Sequence, residues 1–98
     1  MLFRSTQAKQ AAPDAIAIND TLGWIQYKKG NYIIAVGLLT EVVNKLPLNA
    51  EYRYHLGMAL NAAGQKDRAK EELKKALQLT PPLNHDDTGQ AQTTLAKL

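Results

Sequence analysis

Pro13, Pro47 and Pro81 stand 34 residues apart, and the residues between them recur at the same interval. Leu22-Gly23 returns as Leu56-Gly57, Gly30 as Gly64, Ala35 as Ala69 and Leu39 as Leu73. A fixed period of roughly 20–50 residues marks one supersecondary unit stacked on copies of itself, each copy unable to bury its apolar face alone. This constraint outweighs local propensity. It also turns the functional question from which residues react to which surface binds, because stacked repeats build extended surfaces.

Each recurring residue has a physical task. Gly23 and Gly57 fall inside helical patterns, where glycine costs about 1 kcal/mol against alanine. That cost is tolerable where a partner helix must come close, and Ala35 and Ala69 are the small counterparts on the second helix. Gly30 and Gly64 end helical patterns and suit a left-handed residue that turns the chain into the next helix. Pro47 and Pro81 stop the second helices, since proline lacks an amide and disfavours helix in the residue before it.

The expected helices cover 3–12, 15–29, 31–46, 50–63, 65–80 and 87–98. Apolar periodicity marks Ile18, Leu22 and Ile25 on the first long helix, and Tyr32, Ala35, Val36, Leu39, Val42, Val43 and Leu46 on the next. Leu56, Ala59 and Leu60, then Ala69, Leu73, Ala76 and Leu77, repeat the scheme. Asp14 and Asn49 are expected N-caps, and Asp87 with Gln90 has the spacing of a capping box. No segment alternates as a strand.

At 98 residues the chain is one small domain, and it has no cysteine, hence no disulfide framework and no thiol chemistry. Its opening residues lack the apolar run of a signal peptide, and no stretch approaches the roughly 20 apolar residues of a membrane span, so neither a signal peptide nor direct membrane insertion is expected. The net charge of +3 is modest. Lys66, Arg68, Lys70, Lys74 and Lys75 cluster on one helix, but Asp67, Glu71 and Glu72 are interleaved with them, and Glu71 and Lys75 have i,i+4 spacing. This pattern describes a solvated, self-paired face, and a nucleic-acid partner is not expected.

Catalysis has no foothold in the sequence. The histidines are His55 and His85, and a site needs nucleophile, base and orienting partner together. His85-Asp86-Asp87 reads as a polar loop and helix cap rather than a metal site, and no phosphate loop or nucleotide fingerprint is present. No catalytic residue, metal or cofactor is expected.

The period and its anchors resemble the tetratricopeptide repeat family over nearly the whole chain. The resemblance implies a single all-α domain over 1–98, a helix–turn–helix solenoid of two full repeats with a partial N-terminal helix and a C-terminal capping helix. Residues 1–15 would end a preceding repeat, with Ala8 matching Val42 and Ala76; 16–49 and 50–83 would be the full repeats. Residues 84–98 would cap the array through Ala91, Leu95 and Leu98. Lys66 and Lys70, at the places of Tyr32 and Val36, thin the outward apolar face of the second repeat as an end requires.

In this family the inner surface is built mainly by the first helix of each pair, which implies a non-catalytic scaffold for a protein or peptide partner. The candidate partner-binding residues are Asp20, Thr21, Trp24, Tyr27 and Lys28, then Glu51, Tyr54, His55, Met58 and Asn61. Aromatic anchors dominate interface energetics, although Trp24 and Tyr54 packing only against each other is the competing reading. On the outer side, Ile33, Ile34 and Leu38 form an apolar group, with Arg68 and Glu72 matching Ile34 and Leu38 in the second repeat. Self-association as a homodimer, or cover by the N-terminal residues, accounts for that group.

Two narrower resemblances point in opposite directions. Tetratricopeptide domains that grip the acidic tails of heat-shock chaperones carry lysines and asparagines where this chain has Asp20, Trp24 and His55, so that ligand is not expected. Asp20-Thr21-Leu22-Gly23-Trp24, Tyr27-Lys28-Lys29-Gly30-Asn31-Tyr32 and His55-Leu56-Gly57-Met58-Ala59-Leu60 are similar to repeats of bacterial envelope lipoproteins accompanying exopolysaccharide and exosortase systems, as is the segment from Ala91 to Leu98. That likeness implies a bacterial fragment of a longer array in the envelope or periplasm; without it, a cytoplasmic setting is expected.

Overall fold

Proline is pre-set for the first position of a helix, where its missing amide would have had no partner, and Pro13 takes that place. The computed structural model describes residues 13–98, which form five helices: α1 (Pro13–Lys28), α2 (Tyr32–Lys45), α3 (Ala50–Ala62), α4 (Lys66–Gln78) and α5 (His85–Ala96). The helix expected over 3–12 lies outside the described residues. Asp14, expected as an N-cap, instead sits in the first turn of α1, where its charge favours the positive end of the helix dipole. Among the described residues there is no strand, and the architecture is an all-α helical repeat solenoid.

Each helix packs on the next in sequence, and the first helices α1, α3 and α5 also touch in a row. Tight turns make this possible. Gly30 and Gly64 adopt φ of 89° and 87°, a conformation that penalises any side chain. Gly23 and Gly57 permit the close approach within each pair: a Cβ at Gly23 would lie 2.7 Å from Leu39 Cγ, and one at Gly57 2.7 Å from Leu73 Cγ. The residues against the glycines are therefore leucines, rather than the alanines expected; Ala35 and Ala69 are fully buried beside them.

The helix ends follow cap chemistry. Asn49 caps α3 as expected, its side chain accepting from the Tyr52 amide at 2.9 Å. The last helix starts two residues earlier than expected, because Asn84 rather than Asp87 is its N-cap. Asn84 Oδ1 accepts from the Asp87 amide at 2.7 Å, and Asn84 Nδ2 donates to Asp87 Oδ2 at 3.1 Å. The reciprocal cap spacing is present, set three residues upstream of the Asp87-Gln90 pair. His85, Asp86 and Asp87 accordingly form a first helical turn instead of a loop.

The core has two parts. Ala35, Val36, Leu39, Val42 and Val43 of α2 pack with Tyr52, Leu56, Ala59 and Leu60 of α3, while Leu73 and Ala76 of α4 pack with Tyr54 and with Ala91 of α5. Leu95 and Leu98 join the second part, so the C-terminal helix packs on the second repeat. Arg53 ties the turn to both helices of its repeat, donating to the Pro47 carbonyl at 2.7 Å and to Glu72 at 2.8 Å. Among the described residues no Glu71–Lys75 ion pair forms; Glu72 is drawn to Arg53 instead. Val36, expected on an outward face, is buried, whereas Lys70 in the same place of the second repeat is exposed.

The apolar stripe of α1 departs from expectation. Ile18, Leu22 and Ile25 are 60%, 45% and 42% exposed. One period later, Tyr52, Leu56 and Ala59 are 9%, 2% and 0% exposed, because α2 lies across them. Among the described residues the pattern that marks a buried face is therefore present twice and covered once.

Candidate functional site: an aromatic column on the inner helices

The row of first helices brings four rings from two repeats into one column. Trp24 stacks on Tyr27, three residues on in α1, with centroids 4.6 Å apart and planes 13° from parallel. Its other neighbour is His55 of α3, at 4.1 Å and 22°. Tyr54 lies tilted against both, 5.8 Å from Trp24 and 5.7 Å from His55. Lys28 completes the outer end, its Nζ 5.7 Å from the indole centroid, within range of a cation–π attraction.

Asp20 fixes the column. His55 Nδ1 lies 2.8 Å and 3.0 Å from the two Asp20 carboxylate oxygens, so the ring nitrogen donates and the carboxylate accepts. Both side chains are buried. This corrects the expectation that Asp20 and His55 stand open to a partner: they satisfy each other between α1 and α3. A buried hydrogen-bonded pair ties its two helices together in one register, and here it sets the lateral position of α3 against α1. Among the described residues no hydroxyl or thiol is hydrogen-bonded to the imidazole; the Thr21 hydroxyl donates to the Ala17 carbonyl at 3.1 Å. The pair orients the imidazole ring toward Trp24.

Tyr54 is likewise buried rather than open, packed with Leu73, Ala76 and Ala91. Burial, then the charge of Asp87, then Tyr27 push its phenol up to about 12. Tyr27 is raised by burial and by Tyr32, and Tyr52 by burial and by Asp20 and Glu51. Met58 packs into the same cluster. Asn61 stands apart from the column, accepting from Lys66 Nζ at 3.2 Å across the turn.

What remains accessible is the rim. Trp24 and Tyr27 are half-buried, and Thr21, Lys28 and Glu51 are exposed. Thr21, Trp24, Lys28 and Glu51 border a cleft of about 410 Å³ that Asp20, His55 and Asp87 also line, whereas Tyr27 lies outside its lining. Glu51 and Asp87 also border a second groove of about 570 Å³, walled by Leu48, Pro81, Pro82 and Leu83 at the turns between repeats. Ile25, Asp87 and this proline-walled groove were missed in the sequence. The 34-residue recurrence of Pro47 and Pro81 was the signal that two equivalent turns would stand side by side.

Residues 50–82, comprising α3, α4 and the start of the following turn, match the tetratricopeptide repeat family model. No curated protein matches the chain. The match falls on the second repeat, and the same anchors and helix pairing in the first support a tetratricopeptide array. Tetratricopeptide repeats generally serve as non-catalytic modules for binding other proteins, which makes a protein partner the class of ligand to consider. No described helix is long and apolar enough to cross a membrane.

Proposed function

We propose that the chain is a non-catalytic scaffold that binds a peptide or a partner segment along the inner face, over the exposed edges of Trp24 and Tyr27. The observation that carries this reading is the stacked column itself. Its inner members, His55, Asp20 and Tyr54, are buried, the first two hydrogen-bonded to each other, while Trp24 and Tyr27 retain open surface beside Lys28, Thr21 and Glu51. A rigid aromatic edge presents contact area with little side-chain entropy left to lose, the property that makes such residues interface anchors. Met58 and Asn61 serve as flanking positions. The similarity of Asp20–Trp24 and Tyr27–Tyr32 to envelope repeats supports a place in a longer array of a bacterial envelope or polysaccharide system.

Selection of a phage-displayed random peptide library on the full chain, followed by calorimetry with the selected peptide, tests the proposal. Trp24→Ala should weaken binding by about 2 kcal/mol or more. Lys28→Ala, at an exposed position that cannot disturb the core, should weaken it less. Affinity unchanged by both variants would place the site elsewhere.

A second reading is self-association through the outer side. Ile33 and Ile34 are 74% and 56% exposed, whereas Leu38 is half-buried, its Cβ 3.4 Å from where a side chain on Gly23 would begin. Sedimentation should show concentration-dependent dimers that Ile34→Glu weakens. A monomer at every accessible concentration removes this reading.

A further inference from the structure

The groove between the two turns adjoins the aromatic rim but is built of different residues. Its walls are equivalent turns one period apart: Leu48 follows Pro47 as Pro82 follows Pro81, with Leu83 beside them. Leu48 is 73% exposed, and Pro81 and Pro82 are exposed as well. Burying such walls removes apolar surface from water, and the prolines have almost no rotamer entropy to lose. The volume of about 570 Å³ lies in the range of ligand clefts.

Charge decides what fits. Glu51 and Asp87 line both this groove and the cleft beside Trp24, so the two acids stand where the depressions meet. Among the described residues no basic side chain lines the groove, and neither acid is in an ion pair. Arg53, two residues beyond Glu51, is held instead by the Pro47 carbonyl and Glu72. Two helices begin here, yet an anionic occupant is disfavoured. Asn49 and Asn84 already accept from the Tyr52 and Asp87 amides, and Glu51, Asp86 and Asp87 hold the first turns, where the helix dipole favours negative charge. Given a peptide ligand, as the scaffold reading requires, we propose that it places a lysine or arginine between Glu51 and Asp87 and lays an adjacent apolar side chain against Leu48 and Pro82.

Phage-displayed random peptides selected on the full chain are the probe, and calorimetry with the synthetic peptides is the readout. The selected peptides should carry a lysine or arginine next to leucine, valine or proline, and the double variant Glu51→Gln/Asp87→Asn should bind them about tenfold more weakly. Asp87→Asn keeps an oxygen for Asn84 Nδ2, so the cap of α5 survives. Leu48→Ser, at an exposed position, should weaken binding about fivefold. Raising salt from about 50 to about 300 mM should weaken the unaltered chain far more than the double variant. Peptides without a basic residue, or affinity indifferent to the double variant, overturn this assignment and leave the Trp24 rim standing where Trp24→Ala still weakens binding. Affinity lost in the double variant and kept in Trp24→Ala supports the groove and removes the rim. Selection of acidic peptides overturns the groove assignment, and selection of none overturns it together with the scaffold reading.

Discussion

The two repeats follow one plan and meet different neighbours. α3 touches both α2 and α5, and its apolar stripe is closed under α2; α1 repeats that stripe with aliphatic residues throughout, and among the described residues it stays open. The second helices differ in the opposite sense. α2 is almost wholly apolar, whereas α4 alternates lysines and acids around Ala69, Leu73 and Ala76. Periodicity in a repeat thus states which face is built for contact, and position in the array decides whether that contact is made.

The largest separation of the two repeats should appear at the paired leucines. Leu56→Ala removes a side chain that is sealed under α2 and should cost about 2–5 kcal/mol. Leu22→Ala, at the same place in the plan, should cost about 1 kcal/mol. Chemical denaturation of both variants checks this, and equal losses would erase the distinction.

The column should fail at high pH through its buried member. A phenol whose pKa is raised by the fold stays protonated after the unfolded chain has ionised near pH 10, so the unfolded state binds fewer protons and stability falls as pH rises. The contribution of Tyr54 is complete below about 10 and is lost as pH climbs through about 12, a difference of about 2–3 kcal/mol. Tyr27 and Tyr52, displaced in the same direction, steepen the fall. Tyr54→Phe should flatten the decline in denaturation curves taken across this range; an unchanged slope would show that Tyr54 ionises freely.

Glycine contacts sharpen the comparison further. Gly57→Val should cost about 1–3 kcal/mol, since its Cβ meets the Leu73 side chain at 2.7 Å and the Leu73 backbone nitrogen at 3.3 Å. Gly23→Val meets first the side chains of Leu39 and Leu38, and among the described residues α1 has an open side toward which to shift, so its thermal midpoint should drop less. The reverse order would mean that α1 is held as firmly as α3.

Much of this fold is legible in the sequence because period, glycine and proline act locally. Gly30 and Gly64 announce their turns, and Asn49 its cap. The site is less legible because it depends on how one repeat is offset against the next. Asp20 and His55 are 35 residues apart, one more than the period, so the register shift between neighbouring first helices creates their bond. No pattern within either helix contains it. Asn84 and Asp87 have nearly the same capping chemistry, and only the fold selects the earlier one. The exposure of Ile18, Leu22 and Ile25 was illegible for a simpler reason: an apolar stripe reads the same whether or not its neighbour is present.

Chemical-shift mapping of the full chain with the selected peptide tests the central claim most directly. Perturbations concentrated on Thr21, Trp24, Tyr27, Lys28 and Glu51, with the Trp24 indole amide among the largest, are the predicted result. Perturbations confined to Lys66–Lys75 of α4 or to Ile33 and Ile34 of α2, with the Trp24 indole unmoved, would contradict it.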